Sequence, residues 1–230
     1  MMSLQEAAEQ RHAVRTFEDR PLDGAAVEHL QAFIDIVNEE SWMDFKLVLN
    51  EPVAFTSLLA RKVGFSHADN YLAVIGPDGK ELDNSSGYYG EQIVLRAQQL
   101  GINSCWVGQT YKQVQGAYNV DFGESLRCVV ALGYGTTQGA SHPSKTPQQV
   151  SPDYDSAPDW FRRGVDAALL APTALNQQKF TFRLGRQQPD GTWEVIAKAK
   201  LGPYTKVDLG IAKYHFEIGA GEGAPFTFRD

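Results

Sequence analysis

Cysteine is scarce: Cys105 and Cys128 are the only two among 230 residues, and each sits in a strand-like run. A chain of this length buries roughly 70% of its unfolded surface and needs no covalent staples, so both thiols are expected to be reduced and buried. No apolar run approaches the ~18 residues of a membrane span. Nothing resembles a signal peptide, which makes the cytoplasm the simplest address. Metal-ligand spacing is missing too, because His12, His29, His67, His142 and His215 are scattered singly. There is no nucleophile elbow, P-loop or paired-carboxylate motif. Positive charge is not in excess either: the net charge of -7 argues against nucleic acid or an anionic membrane as partner. An enzyme with so little side-chain chemistry needs a cofactor for its hard step and a small molecule as substrate.

What is present is an ordinary globular composition, 43% apolar and 21% charged. The most informative stretch is Gly87–Gly108. Ile93, Leu95 or Ala97, and Leu100 recur at near-helical spacing, and Glu91, Gln92, Arg96, Gln98 and Gln99 are expected on the wet face. Gly101 suits a left-handed helix stop, Ser104–Val107 an inner strand, and Gly108 a close backbone approach. Before it, Ser3–Glu6 is a capping-box pattern. Asp23 is placed to cap a helix with Val27, Leu30, Phe33 or Ile34, and Val37 on its apolar stripe. Strands are expected at Phe45–Leu49 and Tyr71–Ile75, and a helix over Val53–Arg61 with Phe55, Leu58 and Leu59 inward.

Further on, Leu126–Tyr134 reads as a central strand and Asp159–Leu170 as a helix. Strands at Phe180–Leu184 and Trp193–Ala197 flank a Pro-Asp-Gly turn. Thr205 is placed to cap a last helix, and Phe226 and Phe228 suggest an edge strand. Gly135–Pro158, rich in Gly, Thr, Ser and Pro, reads as a long crossing ordered by contact. The order helix, strand, amphipathic helix occurs at about 24–101 and again, shortened, at about 159–219. One domain over 1–230 is expected, with pseudo-repeats at about 1–135 and 158–230 joined by a 136–157 crossing loop.

Three fragments suggest the cofactor. Arg11 and Arg15 are four apart, a spacing that serves either a phosphate grip or a solvated basic face. Pro172–Phe180 offers small residues and then amides, which suits either an ordinary loop or a ring with alternating carbonyls and nitrogens. Trp106-Val107-Gly108 is either a core strand reaching a turn or a backbone surface for a flat ligand.

Together the fragments resemble the nitroreductase family. Arg11–Phe17 is similar to its Arg-x-Ser-x-Arg-x-Phe signature, and Ala171–Phe180 to its Ala-Pro-Ser-Ser-x-Asn-x-Gln-Pro-Trp segment. Leu95–Gly108 resembles its Ala-x-x-Leu-Gly-Leu-x-x-x-Trp-x-Gly stretch, and Leu132–Gly135 its Leu-Gly-Tyr-Pro strand end. In ordinary members the Pro-Ser-Ser segment follows the arginine signature closely. Here Glu39–Phe45 holds that place and the segment lies far downstream, as in a single-chain subgroup typified by a thermophile's protein.

The resemblance covers nearly the whole chain. It implies an α+β fold, a nitroreductase-like α/β/α sandwich that is internally duplicated, a pseudo-dimer in one chain. It implies FMN as cofactor and NAD(P)H as reductant, with electrons passed to a small electron-poor acceptor such as a nitroaromatic or quinone. The flavin carries the chemistry and no side chain is catalytic. Arg11 and Arg15 would hold the FMN phosphate, within the stretch that includes His12 and Ala13, with Lys145 or His142 as a further contact. Pro172, Thr173, Ala174, Asn176 and Gln178 would lie along the ribityl chain and ring, and Trp106, Val107 and Gly108 at the ring's polar edge. A monomer or weak homodimer is expected. Ala13 stands for the usual serine, Ala174 for the second serine, and Lys179-Phe180 for Pro-Trp. These departures support an alternative, a flavin-binding carrier or sensor of the same fold with little redox turnover.

Overall fold

The computed structural model describes residues 2–229. The Ser3 hydroxyl accepts from the Glu6 amide, and the Glu6 carboxylate accepts from the Ser3 amide at 2.7 Å. This reciprocal cap opens α1 (Leu4–Gln10). Helix α2 (Gly24–Ser41) buries Leu30, Ile34 and Val37, one stripe at helical spacing. Asp23 stands at its N-cap without capping through its side chain, which accepts from the Tyr134 hydroxyl instead.

Strand β1 (Lys46–Val48) follows, then α3, which spans only Leu58–Lys62. The expected helix over Val53–Arg61 is thus shortened from its start. The Glu51 carboxylate takes the Val53 and Ala54 amides into a turn at 2.7 and 3.0 Å, and Ser57 caps the helix by accepting from Ala60. Phe55 is buried as expected, whereas Leu58 is 86% exposed and Leu59 53%.

Strand β2 (Asn70–Pro77) is buried along all but its last residue, α4 (Leu82–Gln99) returns over it, and β3 (Asn103–Val107) and β4 (Glu124–Gly133) complete a four-stranded antiparallel sheet. The strand order is β1-β2-β4-β3. Gly101 ends α4 at φ +79°, the left-handed conformation that a side chain resists. The crossing contains α5 (Pro147–Val150), a single capped turn too short to register as periodicity; its Val150 is fully buried in the downstream core.

Helix α6 (Asp159–Ala168) leads into a second sheet of β5 (Phe180–Gln187), β6 (Trp193–Ala199) and β7 (Phe226–Arg229), with α7 (Thr205–Ala220) inserted before β7. β5 and β6 are antiparallel, and β7 runs parallel beside β6. Phe161, Phe180, Phe182 and Phe216 fill the core of this half, each fully buried. Burial of that kind contributes about 2–3 kcal/mol per ring.

α4 and α7 pack directly on one another and join the two halves. The pairing explains why Glu91 and Gln98 are buried rather than on a wet face: α7, α1, α2 and the first sheet enclose α4, and between Glu91 and Gln99 only Gln92, Arg96 and Gln99 stay partly exposed. Trp106 and Tyr204 each pack against the cores of both halves.

Candidate functional site

The site forms where the first sheet meets α7. Residues 13–17 run beside the sheet as an extra extended segment, with Val14 donating to the Ser104 carbonyl at 3.0 Å. Alternation then buries Val14 and leaves Ala13 and Arg15 on the opposite side. That side faces a cavity of about 140 Å³ that also receives Trp106, Val107 and Gly108 from the end of β3. Its far wall is Pro172–Leu175 together with Tyr204, Val207, Asp208 and Ile211 from the start of α7. Segments near the two ends of the chain therefore share one cavity.

The wall at Pro172–Leu175 is strained and tightly held. Leu175, Asn176 and Gln178 all have positive φ, 54°, 51° and 44°. Non-glycine residues in that region cost of order 1 kcal/mol or more each and persist only where their surroundings impose them. Here Asp208 accepts from the Ala174 amide at 2.9 Å and from the Gln177 side chain at 2.8 Å. Lys145 donates through Nζ to the carbonyls of Gln177 and Gln178, at 3.0 and 2.7 Å, and its amide donates to the Gln178 side chain. Burial pushes the Asp208 carboxyl up to about 6, against the two hydrogen bonds that favour its ionised form. Burial pulls the Lys145 ammonium down, with Lys200 and Lys179 adding to the effect.

Among the described residues, Arg15 is the only cation lining this cavity and Asp208 the only carboxylate. Cys105 and Cys128 line it as well; burial raises both thiols, Cys128 to about 12, and neither is in a disulfide. Tyr204 caps the start of α7 with φ +58° and donates its hydroxyl to the Gly108 carbonyl at 2.6 Å. A Cβ on Gly108 would lie 2.6 Å from the tyrosine ring, so only glycine admits it. The Arg127 guanidinium lies 5.5 Å from that ring's centre.

Trp106 is held from behind. Its indole donates to Glu91 at 2.8 Å, and its ring occupies the space left by the missing Gly90 side chain. Glu91, fully buried, also meets His215 Nε2 at 2.9 Å and Arg11 Nε at 3.5 Å.

Arg11 thus does not line the cavity beside Arg15: it is 2% exposed, in a buried ion pair, with its Nε and Nη1 lacking hydrogen-bond acceptors among the described residues. His12 packs against Gly139, and burial lowers its pKa. His142, Lys145, Asn176 and Gln178 also lie off the cavity wall. Asn176 donates to the Pro143 carbonyl at 2.8 Å, and buried Gln178 faces Lys145, so both amides fasten the crossing loop. Reading the chain by motif missed Tyr204, Asp208, Val207 and Ile211. A helix starting at Thr205 was legible, but nothing in the spacing there shows that this start faces Gly108.

Among the described residues, no helix is long and apolar enough to cross a membrane, and no cluster of His, Cys, Asp or Glu could hold a metal. The model of the family described as "Putative TM nitroreductase" matches residues 3–220. No curated protein matches the chain. Among solved structures, a "putative nitroreductase" from Thermotoga maritima is 21% identical, with a TM-score of 0.61 over 94% of this chain and 82% of that one. A "putative nitroreductase in complex with FMN" from Desulfovibrio desulfuricans is 16% identical, with a TM-score of 0.50 over 64% of this chain and 94% of that one. NfrA1 nitroreductase from B. subtilis is 12% identical, with a TM-score of 0.50 over 64% and 72%. A mixed α+β chain of two sheets joined through paired helices, matched over almost its whole length, belongs to this nitroreductase family.

Proposed function

We propose that the protein is an FMN-dependent oxidoreductase in which NAD(P)H is the reductant and a small electron-poor molecule, such as a nitroaromatic or quinone, the acceptor. The observation that carries this reading is the shared cavity, with Ala13 and Arg15 from one end of the chain and Pro172–Leu175 from the other. The residues present fit the nucleotide. The cavity is long-walled and largely apolar, as a flat ring requires, and Arg15 supplies a cation at its edge. Arg11 stands off the cavity against Glu91, which leaves Arg15 as the cation for the phosphate.

FMN, when bound, supplies the acceptance and release of hydride. The chain's own residues bind, orient and exclude water. Trp106, Val107 and Gly108 present strand-end backbone, Tyr204 fixes Gly108, and Asp208 fixes the Ala174 amide. Over one cycle NAD(P)H loses a hydride to become NAD(P)⁺, and a quinone acceptor takes the two electrons with two protons, one of them from solvent.

The two halves of the chain share a helix, an antiparallel strand pair and a helix: α2-β1-α3-β2-α4, where the short α3 is inserted between the strands, and α6-β5-β6-α7. This supports reading the chain as a pseudo-dimer that completes its own flavin site. A second reading, a flavin-binding carrier or sensor with little turnover, is favoured by one observation: Arg11 is engaged by Glu91 and Ala13 offers no hydroxyl. Titration with FMN followed by NADH and NADPH oxidation with a quinone separates the two. Tight uptake with turnover supports the enzyme, uptake without turnover the carrier, and no uptake removes both.

A further inference from the structure

The crossing of α4 and α7 gives the start of each helix a counterpart on the other. Gly87 faces the Val207 carbonyl, and Gly210 faces the Asn84 carbonyl. The register that matches Gly87 with Gly210 also matches Asn84 with Val207 and Glu81 with Tyr204. Tyr204 and Val207 line the first cavity. Glu81 and Asn84 line another, of about 430 Å³, which shares no lining residue with the first. The start of α4 thus stands to this cavity as the start of α7 stands to the first.

Its lining is basic, in a chain whose net charge is -7. Lys80 comes from the turn after β2, Lys198 from β6 and Lys206 from the first turn of α7. All three are exposed, and none makes a hydrogen bond or ion pair among the described residues. Elsewhere Lys46, Arg127 and Arg183 each meet a carboxylate. Here Glu81 is the only carboxylate lining the cavity among the described residues. Three like charges around one hollow repel one another, and a bound anion offsets that repulsion. Helix α4 adds to the field: it starts without a side-chain cap, so its first amides stay open to an acceptor. Asp83 of that turn is held by Arg127. The rest of the lining, Ala197, Ala199 and Leu209, is apolar.

We propose that this cavity binds a nucleoside diphosphate, with Lys80, Lys198 and Lys206 on the phosphoryl oxygens and the apolar lining against the base. Lysine is a compact point charge suited to phosphate, and three of them around one cavity match a chain of phosphates better than a single monoanion. The Asn84 side-chain amide supplies a further donor on the same wall. Nothing in this site depends on what fills the first cavity.

The test is calorimetric titration of the protein, with and without saturating FMN, with ADP, inorganic pyrophosphate and adenosine. ADP is expected to bind at least about tenfold more tightly than adenosine, since the phosphates carry the charge that the lysines meet. Lys198→Glu and Lys80→Glu, both at exposed positions, should each weaken ADP by about tenfold or more, with FMN content and melting temperature kept at the wild-type level. Lys62→Glu makes the same change of net charge off the cavity and should leave ADP affinity within about twofold, because distant exposed charges are screened. ADP binding tighter than pyrophosphate supports the nucleotide; equal or tighter binding of pyrophosphate overturns it in favour of an inorganic anion. Binding that FMN displaces, binding that survives both lysine variants, or no binding at all overturns the site. A protein that takes up no FMN fails the flavin reading alone, and the titration without FMN still decides this one.

Discussion

Gly87 on α4 and Gly210 on α7 meet the opposite helix in the same way. A Cβ on Gly87 would lie 2.0 Å from the Val207 carbonyl oxygen and 2.9 Å from the Ile211 nitrogen. A Cβ on Gly210 would lie 2.1 Å from the Asn84 carbonyl oxygen and 2.7 Å from the Tyr88 nitrogen. Each glycine thus faces the carbonyl three residues before the other and the amide one residue after it. That is the reciprocity of a two-fold contact, here made within one chain.

No alanine fits at either crossing position, because both neighbours are helix backbone and cannot rotate away. Gly87→Ala is expected to destabilise the protein by about 3 kcal/mol or more, the upper range of overpacking. Gly24→Ala is the control: nothing lies within 4 Å of that position, and alanine there changes stability by less than about 1 kcal/mol. Urea unfolding of the two variants, read against the wild type, makes the comparison.

Glu91 anchors the back of the site by joining Trp106, His215 and Arg11. Replacing it with glutamine keeps an acceptor for the indole but leaves the Arg11 charge buried and unpaired. Breaking one side of a buried pair costs roughly 3–5 kcal/mol. Glu91→Gln is therefore expected to lose that order of stability in urea, and Glu91→Ala in addition to shift tryptophan emission to the red as Trp106 loses its partner.

The carboxyl of Asp208 titrates near 6 in the fold and near 3.8 when exposed. The folded state therefore favours the protonated form, and its contribution is present below about pH 4 and lost as pH rises through about 6. One pKa unit is 1.36 kcal/mol, so wild-type protein should lose about 2 kcal/mol relative to Asp208→Asn between pH 4.5 and 7.5. Urea midpoints of both proteins at the two pH values check the sign. A constant difference between them would remove the titration of Asp208 from the account.

Arg15 is exposed and lines the cavity, and its side chain makes no hydrogen bond or ion pair among the described residues. Arg15→Ala should weaken FMN binding at least tenfold. Its unfolding free energy should stay within about 0.5 kcal/mol of wild type, as for exposed positions without special contacts. Flavin fluorescence titration and thermal unfolding of the same sample provide both readings.

The patterned parts of this molecule were the legible ones. The stripe of α2, the glycine stop of α4, the central strands and the Pro172 loop all follow from spacing and turn chemistry. The expectations that failed depend on what packs from elsewhere. Glu91 looked solvent-facing because α7, more than a hundred residues downstream, is invisible to a local window. Leu58 and Leu59 looked inward because the carboxylate of Glu51, which turns the chain ahead of them, is not a helix signal. Arg11 and Arg15 look equivalent in sequence, yet the turn at the end of α1 sends one to a buried carboxylate and the other to the cavity. Tyr204 carries no motif at all, and its place follows only from the left-handed turn that brings it onto Gly108.

The central claim is that one chain completes one flavin site. Size-exclusion chromatography with light scattering, combined with flavin counting on protein saturated with FMN, tests it directly. The account requires one FMN per chain whether the protein elutes as a monomer or a dimer; a ratio of one FMN per two chains, or no retained flavin at saturating FMN, would contradict it.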